Sequence, residues 1–165
     1  MSVNSEWLSF ARENEAASLC SEGVVGERLF RFVADPETRH LYEMIIDAVR
    51  SDGRRVTIPF RCDGPAVRRF MELDISQGSE GQVLFESRIV REETREPVSL
   101  FDTSVDRSDD FLVVCSWCKR VDASGDWVEV EEAVARLKLF DTARLPQMTH
   151  GMCADCAARL QRELD

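Results

Sequence analysis

The chain has 165 residues, a net charge of −10 and a hydrophobic content of 44%. This length fits one domain or a domain with a small module, because domains usually hold roughly 100–200 residues. The hydrophobic content predicts a packed core. The acidic charge argues against nucleic acid and anionic membranes as partners, because binding to phosphates depends mainly on Lys and Arg.

The location of the protein is predicted from its apolar segments and its cysteines. No segment approaches the ~18 consecutive apolar residues of a membrane span, and the first residues do not resemble a signal peptide. We therefore expect a cytoplasmic protein with reduced thiols, whose six cysteines are metal ligands or core residues rather than disulfides. Cys20 and Cys62 have no partner cysteine nearby in sequence, and we expect both to be small buried apolar residues.

The first half of the chain predicts a short strand at residues 7–14, a short helix at residues 15–20 and one long helix. Asp35 followed by Pro36 is typical of a helix start. Gly53 is suited to the left-handed conformation that ends many helices. Between them, apolar residues recur at helical spacing, at Leu41, Tyr42, Ile45, Ile46, Ala48 and Val49.

Three strands are predicted after the long helix. In residues 54–63, 68–75 and 81–92, apolar residues alternate with polar ones, as in strands that bury one face. Turn residues, including glycines, separate the three runs, as an antiparallel meander requires. The sequence therefore predicts an α+β unit over about its first 100 residues.

The order of these elements over residues 5–100 resembles the PAS fold. The resemblance is carried by the opening at 7–14, by Val24-Val25-Gly26-x-x-Leu29-Phe30, by the long helix ending at Gly53 and by the three closing strands. It implies an antiparallel sheet with flanking helices around a small cavity, which often binds a ligand. The residues that line such a cavity, or that simply fill a solid core, would be Phe30, Phe32, Tyr42, Ile45, Phe60, Met71 and Phe85.

The resemblance does not extend to the cofactor-binding PAS subtypes. Cys20 lies in an early helical region, but the sequence around it lacks the asparagine-rich motif of the flavin photosensors. His40 lies near the first turn of the long helix, where an exposed or capping histidine is commoner than a haem ligand. We therefore expect neither haem nor flavin.

The resemblance also implies self-association, because PAS-like modules commonly pair and twofold dimers are the commonest soluble oligomers. Trp7, Leu8 and Phe10 are the candidate surface for a homodimer, although core burial is expected for two of them.

The last third of the chain predicts a linker at residues 101–110 and a separate module at residues 111–165. A short strand at 111–114 runs into the first cysteine pair, and a hairpin with Ser124-Gly125 at its turn follows. Residues 131–140 predict a helix with Ala133, Val134, Leu137 and Phe140 on one side. A second cysteine pair then begins the final helix, where the helix dipole favours thiolate.

Four cysteines in two CxxC pairs predict a metal site. Cys115, Cys118, Cys153 and Cys156 suit a structural zinc ion, because four thiolates close a tetrahedron and leave no open position. An iron–sulfur cluster is the alternative that accepts the same ligands. His150, three residues before Cys153, could replace one cysteine, but we expect it instead to support a thiolate or to cap the last helix.

The C-terminal segment has two further resemblances. Its order of knuckle, hairpin and CxxC at a helix start resembles a treble-clef zinc site with a helical insertion. The string CSWCKR…DW…EE…HGMCADC also resembles a segment found on bacterial PAS-containing signalling proteins. Both resemblances imply a zinc-binding module attached to a sensory domain.

No catalytic motif is visible, since the sequence holds two histidines and lacks the usual hydrolase, metalloprotease and phosphate-loop patterns. We therefore expect a bacterial sensory or protein-interaction module that is not an enzyme and relays a signal through a partner protein. The alternative is a small redox or ligand-handling enzyme that uses the cysteines or a cofactor in the PAS cavity. The redox alternative is weakened by the presence of two pairs, since thioredoxin-like chemistry uses one.

Overall fold

The computed structural model describes residues 1–14, 16, 19–33 and 35–164, without the side chains of Ser21, Glu22 and Leu164. The chain forms two compact units, Met1–Arg39 and His40–Asp165. The fold class is α+β, with one antiparallel and one mixed sheet. None of the helices in the described ranges combines the length and the apolarity needed to cross a bilayer.

The first unit opens with a helix, so the strand predicted at residues 7–14 is wrong. Helix α1 spans Ser5–Glu13. Asn4 caps it, because the Asn4 Oδ1 atom accepts a hydrogen bond from the Trp7 amide at 2.9 Å, and such a cap favours helix over strand. Helix α2 (Ser21–Val24) and a 3₁₀ turn follow. Residues 15, 17 and 18 of the short helix predicted at residues 15–20 lie outside the described residues.

Helix α3 (Pro36–Asp52) confirms the long helix predicted from the sequence. The Asp35 carboxylate accepts a hydrogen bond from the Thr38 amide at 2.7 Å, which caps the first turn. Gly53, with a φ of +65°, ends the helix, because glycine adopts this left-handed conformation without steric cost.

The predicted meander is also confirmed. Strands β1 (Val56–Arg61), β2 (Val67–Gln77) and β3 (Val83–Thr94) form an antiparallel sheet in the order β1-β2-β3. We call it the meander sheet. One face carries the buried residues Ile58 and Ile75, which pack with Ile45 of α3.

The C-terminal segment forms a mixed four-stranded sheet in the order β6-β5-β4-β7. Its elements are β4 (Arg107–Cys115), β5 (Val121–Ala123), β6 (Asp126–Val128), α4 (Val130–Arg136), β7 (Leu145–Gly151) and α5 (Ala154–Leu164). The predicted hairpin is confirmed, with Ser124 and Gly125 both at positive φ in its turn. Since β4 begins at Arg107, residues 107–110 are strand rather than linker.

Helix α4 is shorter than predicted and is followed by a 3₁₀ turn at Leu139–Asp141. Ala133 and Val134 are buried, as expected, but Phe140 is 85% exposed. The left-handed conformation of Lys138 (φ +52°) breaks the helix before Phe140, so this residue leaves the apolar face of α4.

The described residues of the second unit form two hydrophobic cores. One gathers α4 and the mixed sheet around Val114, Val121 and Val130. The other joins α3 and the meander sheet to the cysteine pairs and to Leu160 of α5. The C-terminal segment therefore has one core around α4 and the mixed sheet, and it shares the other with α3 and the meander sheet.

Candidate metal centre

The two cysteine pairs are brought together by parallel strands. Strands β4 and β7 run side by side, with Val114 opposite His150 and Cys115 opposite Gly151. Cys115 is the last residue of β4, and Cys153 follows β7 after a single intervening residue. Because parallel neighbours end at the same edge of a sheet, both pairs arrive at one place.

The first pair lies on a tight turn. The Cys115 amide donates to the Arg120 carbonyl at 2.8 Å, and the Lys119 amide donates to the Cys115 carbonyl at 3.1 Å. Lys119 has a φ of +60°, which closes the turn. The Ser116 amide donates to the Gly151 carbonyl at 2.9 Å, so the turn is held against the end of β7.

The second pair begins helix α5, as predicted. Cys153 precedes the helix and Cys156 lies in its first turn. The Ala157 amide donates to the Cys153 carbonyl at 3.0 Å, which places Cys153 at the N-terminus of the helix. Thiolates are favoured there, because the positive end of the helix dipole faces them.

The four sulfur atoms fit a metal ion. All four Sγ atoms lie within 4.8 Å of one another, and the Cys118 and Cys153 sulfurs are 3.7 Å apart. For a metal–sulfur bond of about 2.3 Å, two sulfurs of a tetrahedron are roughly 3.8 Å apart. A disulfide needs about 2.05 Å, and all four cysteines are free. The arrangement therefore suits a shared metal ion such as zinc, as the sequence predicted.

Arg120 supplies positive charge beside the sulfurs. Its guanidinium donates to the Cys118 Sγ at 3.4 Å and to the Cys153 Sγ at 3.8 Å. It also pairs with Asp155 at 2.8 Å, which fixes its orientation. The hydrogen bond to Cys118 raises the pKa of Arg120 above its ordinary value. A metal with four thiolates carries net negative charge, and Arg120 is placed to offset part of it.

Contacts within the cluster shift the pKa values of its thiols in opposite directions. A hydrogen bond from Cys118 holds the pKa of Cys115 below the ordinary thiol value. Burial raises the pKa of Cys153. One thiolate is therefore favoured before the others, and a metal ion must displace the remaining protons when it binds.

Trp117 connects the site to the rest of the core. It lies between Cys115 and Cys118, is 4% exposed, and its ring contacts Tyr42 of α3 at a centroid distance of 5.7 Å. Its carbonyl accepts a hydrogen bond from the Arg61 amide at 2.7 Å. The turn that carries two ligands thus packs on both α3 and the meander sheet.

His150 is exposed on β7 and lies outside the group of four cysteines that the described residues bring together. Cys20 and Cys62, expected to be buried, are both half-buried. His40 is exposed on α3.

The predicted cavity residues are divided between the two units. Phe30 and Phe32 belong to Met1–Arg39, and the other five belong to His40–Asp165. Among those five, Ile45 and Met71 are buried, whereas Phe85 is 37% exposed. Tyr42 and Phe60 are half-buried against the core that holds the cysteines. Of the candidate dimer residues, Trp7 is 41% exposed, and Leu8 and Phe10 are half-buried on α1.

A groove of about 460 Å³ lies elsewhere in the second unit. It runs between residues 96–106 and residues 139–145, and none of the seven predicted cavity residues lines it. Its apolar lining includes Val98, Leu100 and Leu139.

Arg120 is the site residue that sequence reasoning missed. The signal available was a basic residue two positions after Cys118, which is a common place for a charge on any surface turn. Only the fold shows that its guanidinium turns back to the sulfurs. Comparison with protein-family models, with curated proteins and with solved structures finds no match for this chain.

Proposed function

We propose that the four cysteines bind one structural zinc ion and that the protein is a cytosolic signalling module that acts through a protein partner. The observation that carries the metal role is the burial of the cysteine cluster. Cys115, Cys153 and Cys156 are at most 6% exposed and share one core with α3 and the meander sheet. A closed four-thiolate shell offers no position for substrate, and its burial favours a structural role.

Zinc is favoured over an iron–sulfur cluster because two CxxC pairs whose four sulfurs are close enough to bind one ion are typical of zinc sites. The order of turn, hairpin and CxxC at a helix start supports a treble-clef-like zinc module. Burial also disfavours thiol–disulfide catalysis, which needs an accessible thiolate.

The test of the metal role is elemental analysis with an absorption spectrum of protein purified without chelator. We expect a colourless protein with one zinc per chain. Visible colour from iron–sulfur, haem or flavin would contradict the proposal, as would a metal-free protein.

Four substitutions then separate ligands from neighbours. Cys115→Ser and Cys153→Ser should release the metal and loosen the second unit, because each removes a ligand. His150→Ala should keep the metal with milder destabilisation, since His150 lies outside the sulfur cluster. Cys62→Ser is the matched control, because it is the same change at a half-buried cysteine outside the cluster. Full zinc content in Cys115→Ser would contradict the assignment.

The signalling role is supported by the PAS-like order of α3 and the three meander strands and by the CSWCKR…HGMCADC string. The turn that carries Cys115 and Cys118 packs directly on α3 through Trp117 and Tyr42. A ligand or partner that moves α3 would therefore also shift this turn. Partner-dependent change in the fluorescence of Trp117, read against a Trp7→Phe, Trp127→Phe background, tests this link.

A second function, binding of a small apolar molecule, is favoured by the groove between residues 96–106 and 139–145. Its volume of about 460 Å³ lies within the range of ligand sites, roughly 300–1,000 Å³. Saturable quenching or enhancement of an apolar fluorophore, abolished by Leu139→Glu, would support this function. Equal signals from the wild type and the Leu139→Glu variant would contradict this function.

A further inference from the structure

The outer edge of the meander sheet is open. In the described part of the chain, β3 pairs with β2 alone, so the backbone groups along its other side have no strand partner. Strand β3 is 12 residues long and contains no proline, glycine or lysine. Proline, charged side chains, bulges, short strands and covering elements are the usual means of protecting an edge from pairing, and of these β3 has charged side chains and a bulge.

The same strand exposes apolar side chains. Leu84, Phe85, Ile89 and Val90 are 43%, 37%, 47% and 57% exposed. Phe85 and Ile89 lie opposite Ile75 and Met71 of β2, and residues opposite each other share a face of the sheet. Phe85 and Ile89 therefore extend the apolar face of the meander sheet to its exposed edge.

The other face of β3 is charged. Glu86 and Arg88 lie opposite Asp74 and Glu72, on the face that does not carry Ile75. The Arg88 guanidinium is held there by Asp74 at 2.8 Å and by Glu72.

These side chains have a symmetric order about Ser87. Reading outward in either direction, the residues are charged, then apolar: Glu86 and Phe85 on one side, Arg88 and Ile89 on the other. The charges at matched positions are opposite. In an antiparallel pair centred on Ser87, each residue meets its matched position on the same face.

We propose that β3 pairs with β3 of a second copy of this chain, antiparallel and centred on Ser87, to form a twofold dimer with a continuous six-stranded sheet. Glu86 then faces the partner subunit's Arg88 and Arg88 faces the partner subunit's Glu86. On the opposite face, Phe85 and Ile89 pack against the partner subunit's Ile89 and Phe85. Twofold symmetry requires such a self-complementary surface.

The register stays within the regular part of the strand. The β2–β3 pairing shifts between Phe70 and Met71, which places a bulge at Val90. The five paired residues, 85–89, end before this bulge. A bulge commonly ends strand pairing, so the proposed contact is short, and we expect the dimer to dissociate on dilution.

The register makes a geometric prediction at its centre. The two Ser87 residues lie directly opposite each other, with Cα atoms about 4.5–5.5 Å apart, within the 4.4–6.8 Å of disulfides. Ser87→Cys should therefore cross-link under mild oxidation of the full chain. Thr94→Cys is the matched control on the same exposed strand, because its two copies would be roughly 46 Å apart. Wild-type protein reports the background from native cysteines.

Charge reversal tests the same pairing without a cross-link. Glu86→Arg places two arginines opposite each other and should weaken the dimer at least several-fold in analytical ultracentrifugation. The double variant E86R/R88E restores opposite charges and should recover dimerisation. Circular dichroism verifies that each variant is folded, and metal content should be unchanged because β3 carries no ligand.

Preferential Ser87→Cys cross-linking together with recovery in the double variant supports the proposal. Equal cross-linking at positions 87 and 94, or a wild-type monomer at concentrations up to about 100 µM, overturns it. If E86R/R88E proves unfolded, Ile89→Lys replaces it, and an unchanged dimer in that variant likewise overturns the proposal. None of these results tests the zinc site, because β3 carries no ligand.

Discussion

Asp63 holds the most buried ion-pair network of the described residues, and its removal provides a quantitative test of the fold. Its side chain is fully buried, and those of Arg61 and Arg95 are each 8% exposed. Arg61 donates to both carboxylate oxygens of Asp63, and the Arg95 guanidinium lies 3.4 Å from Asp63. One carboxylate thus stands between two buried guanidinium groups.

Asp63→Asn keeps the shape of the side chain but removes its charge. Breaking a buried pair by removing one partner typically costs about 3–5 kcal/mol, because the remaining charge is left uncompensated. Here Arg61 keeps Glu129 at 2.7 Å, and Arg95 keeps the Gly64 carbonyl at 2.7 Å. These retained contacts favour the lower end, about 3 kcal/mol.

Urea unfolding followed by circular dichroism measures the effect. With an m-value of about 2 kcal/mol per molar urea, a loss of about 3 kcal/mol lowers the midpoint by about 1.5 M. Asp52→Asn is the control, since Asp52 pairs with Arg54 at 2.8 Å but is 50% exposed. Solvent screens such a pair, and its midpoint should stay within experimental error of wild type. Equal midpoints for the two variants would refute the reasoning.

Three further changes test other parts of the structure. Gly151→Ala should lower the free energy of unfolding by about 1–3 kcal/mol and weaken zinc binding, because the new Cβ would lie 3.0 Å from the Val113 side chain. An unchanged stability would contradict this close approach. Tyr42 is the one tyrosine, and burial raises its pKa to about 12, so phenolate absorbance should appear near pH 12 in the folded protein and near pH 10 in denaturant. Because its folded pKa is raised, Tyr42 contributes stability that is complete below about pH 10 and is lost as the pH rises towards 12, and titration near pH 10 in the folded state would refute its burial. Hydrogen bonds from Arg55 and Thr57 lower the pKa of Asp74, so its stabilisation is present above the unfolded value of about 3.9 and is lost as the pH falls further; Asp74→Asn should reduce the acid dependence of the unfolding midpoint, and an unchanged dependence would contradict the assignment.

The local elements were largely predictable because their signals are local. Alternation in residues 54–63 and 68–75 identified β1 and β2, and Asp35 and Gly53 marked the ends of α3 within a residue. The cysteine spacing identified the four candidate ligands. In each of these cases, neighbouring residues alone determine the preferred conformation.

The errors arose where distant contacts or a cap decide. Residues 7–14 have the aromatic and apolar content of a strand, but the Asn4 cap favours a helix. Residues 107–110 are polar, and they belong to β4 because Arg107 and Phe111, on either side of an irregularity, pair with Leu145 and Gln147 of β7, about 40 residues later in sequence. The sharing of one core by the cysteines and α3 also depends on tertiary packing, which periodicity does not report.

The parallel pairing of β4 and β7 affects the entropy cost of bringing the two cysteine pairs together around a metal ion. The two cysteine pairs are separated by 34 residues, and in an unstructured chain the entropy of closing such a loop would oppose metal binding. In the folded chain, strand pairing brings the two ends of this loop together, since Cys115 lies opposite Gly151. The hairpin and α4 between the pairs are then a spacer, and insertions at their exposed turn around Ser124 and Gly125 should leave metal affinity nearly constant.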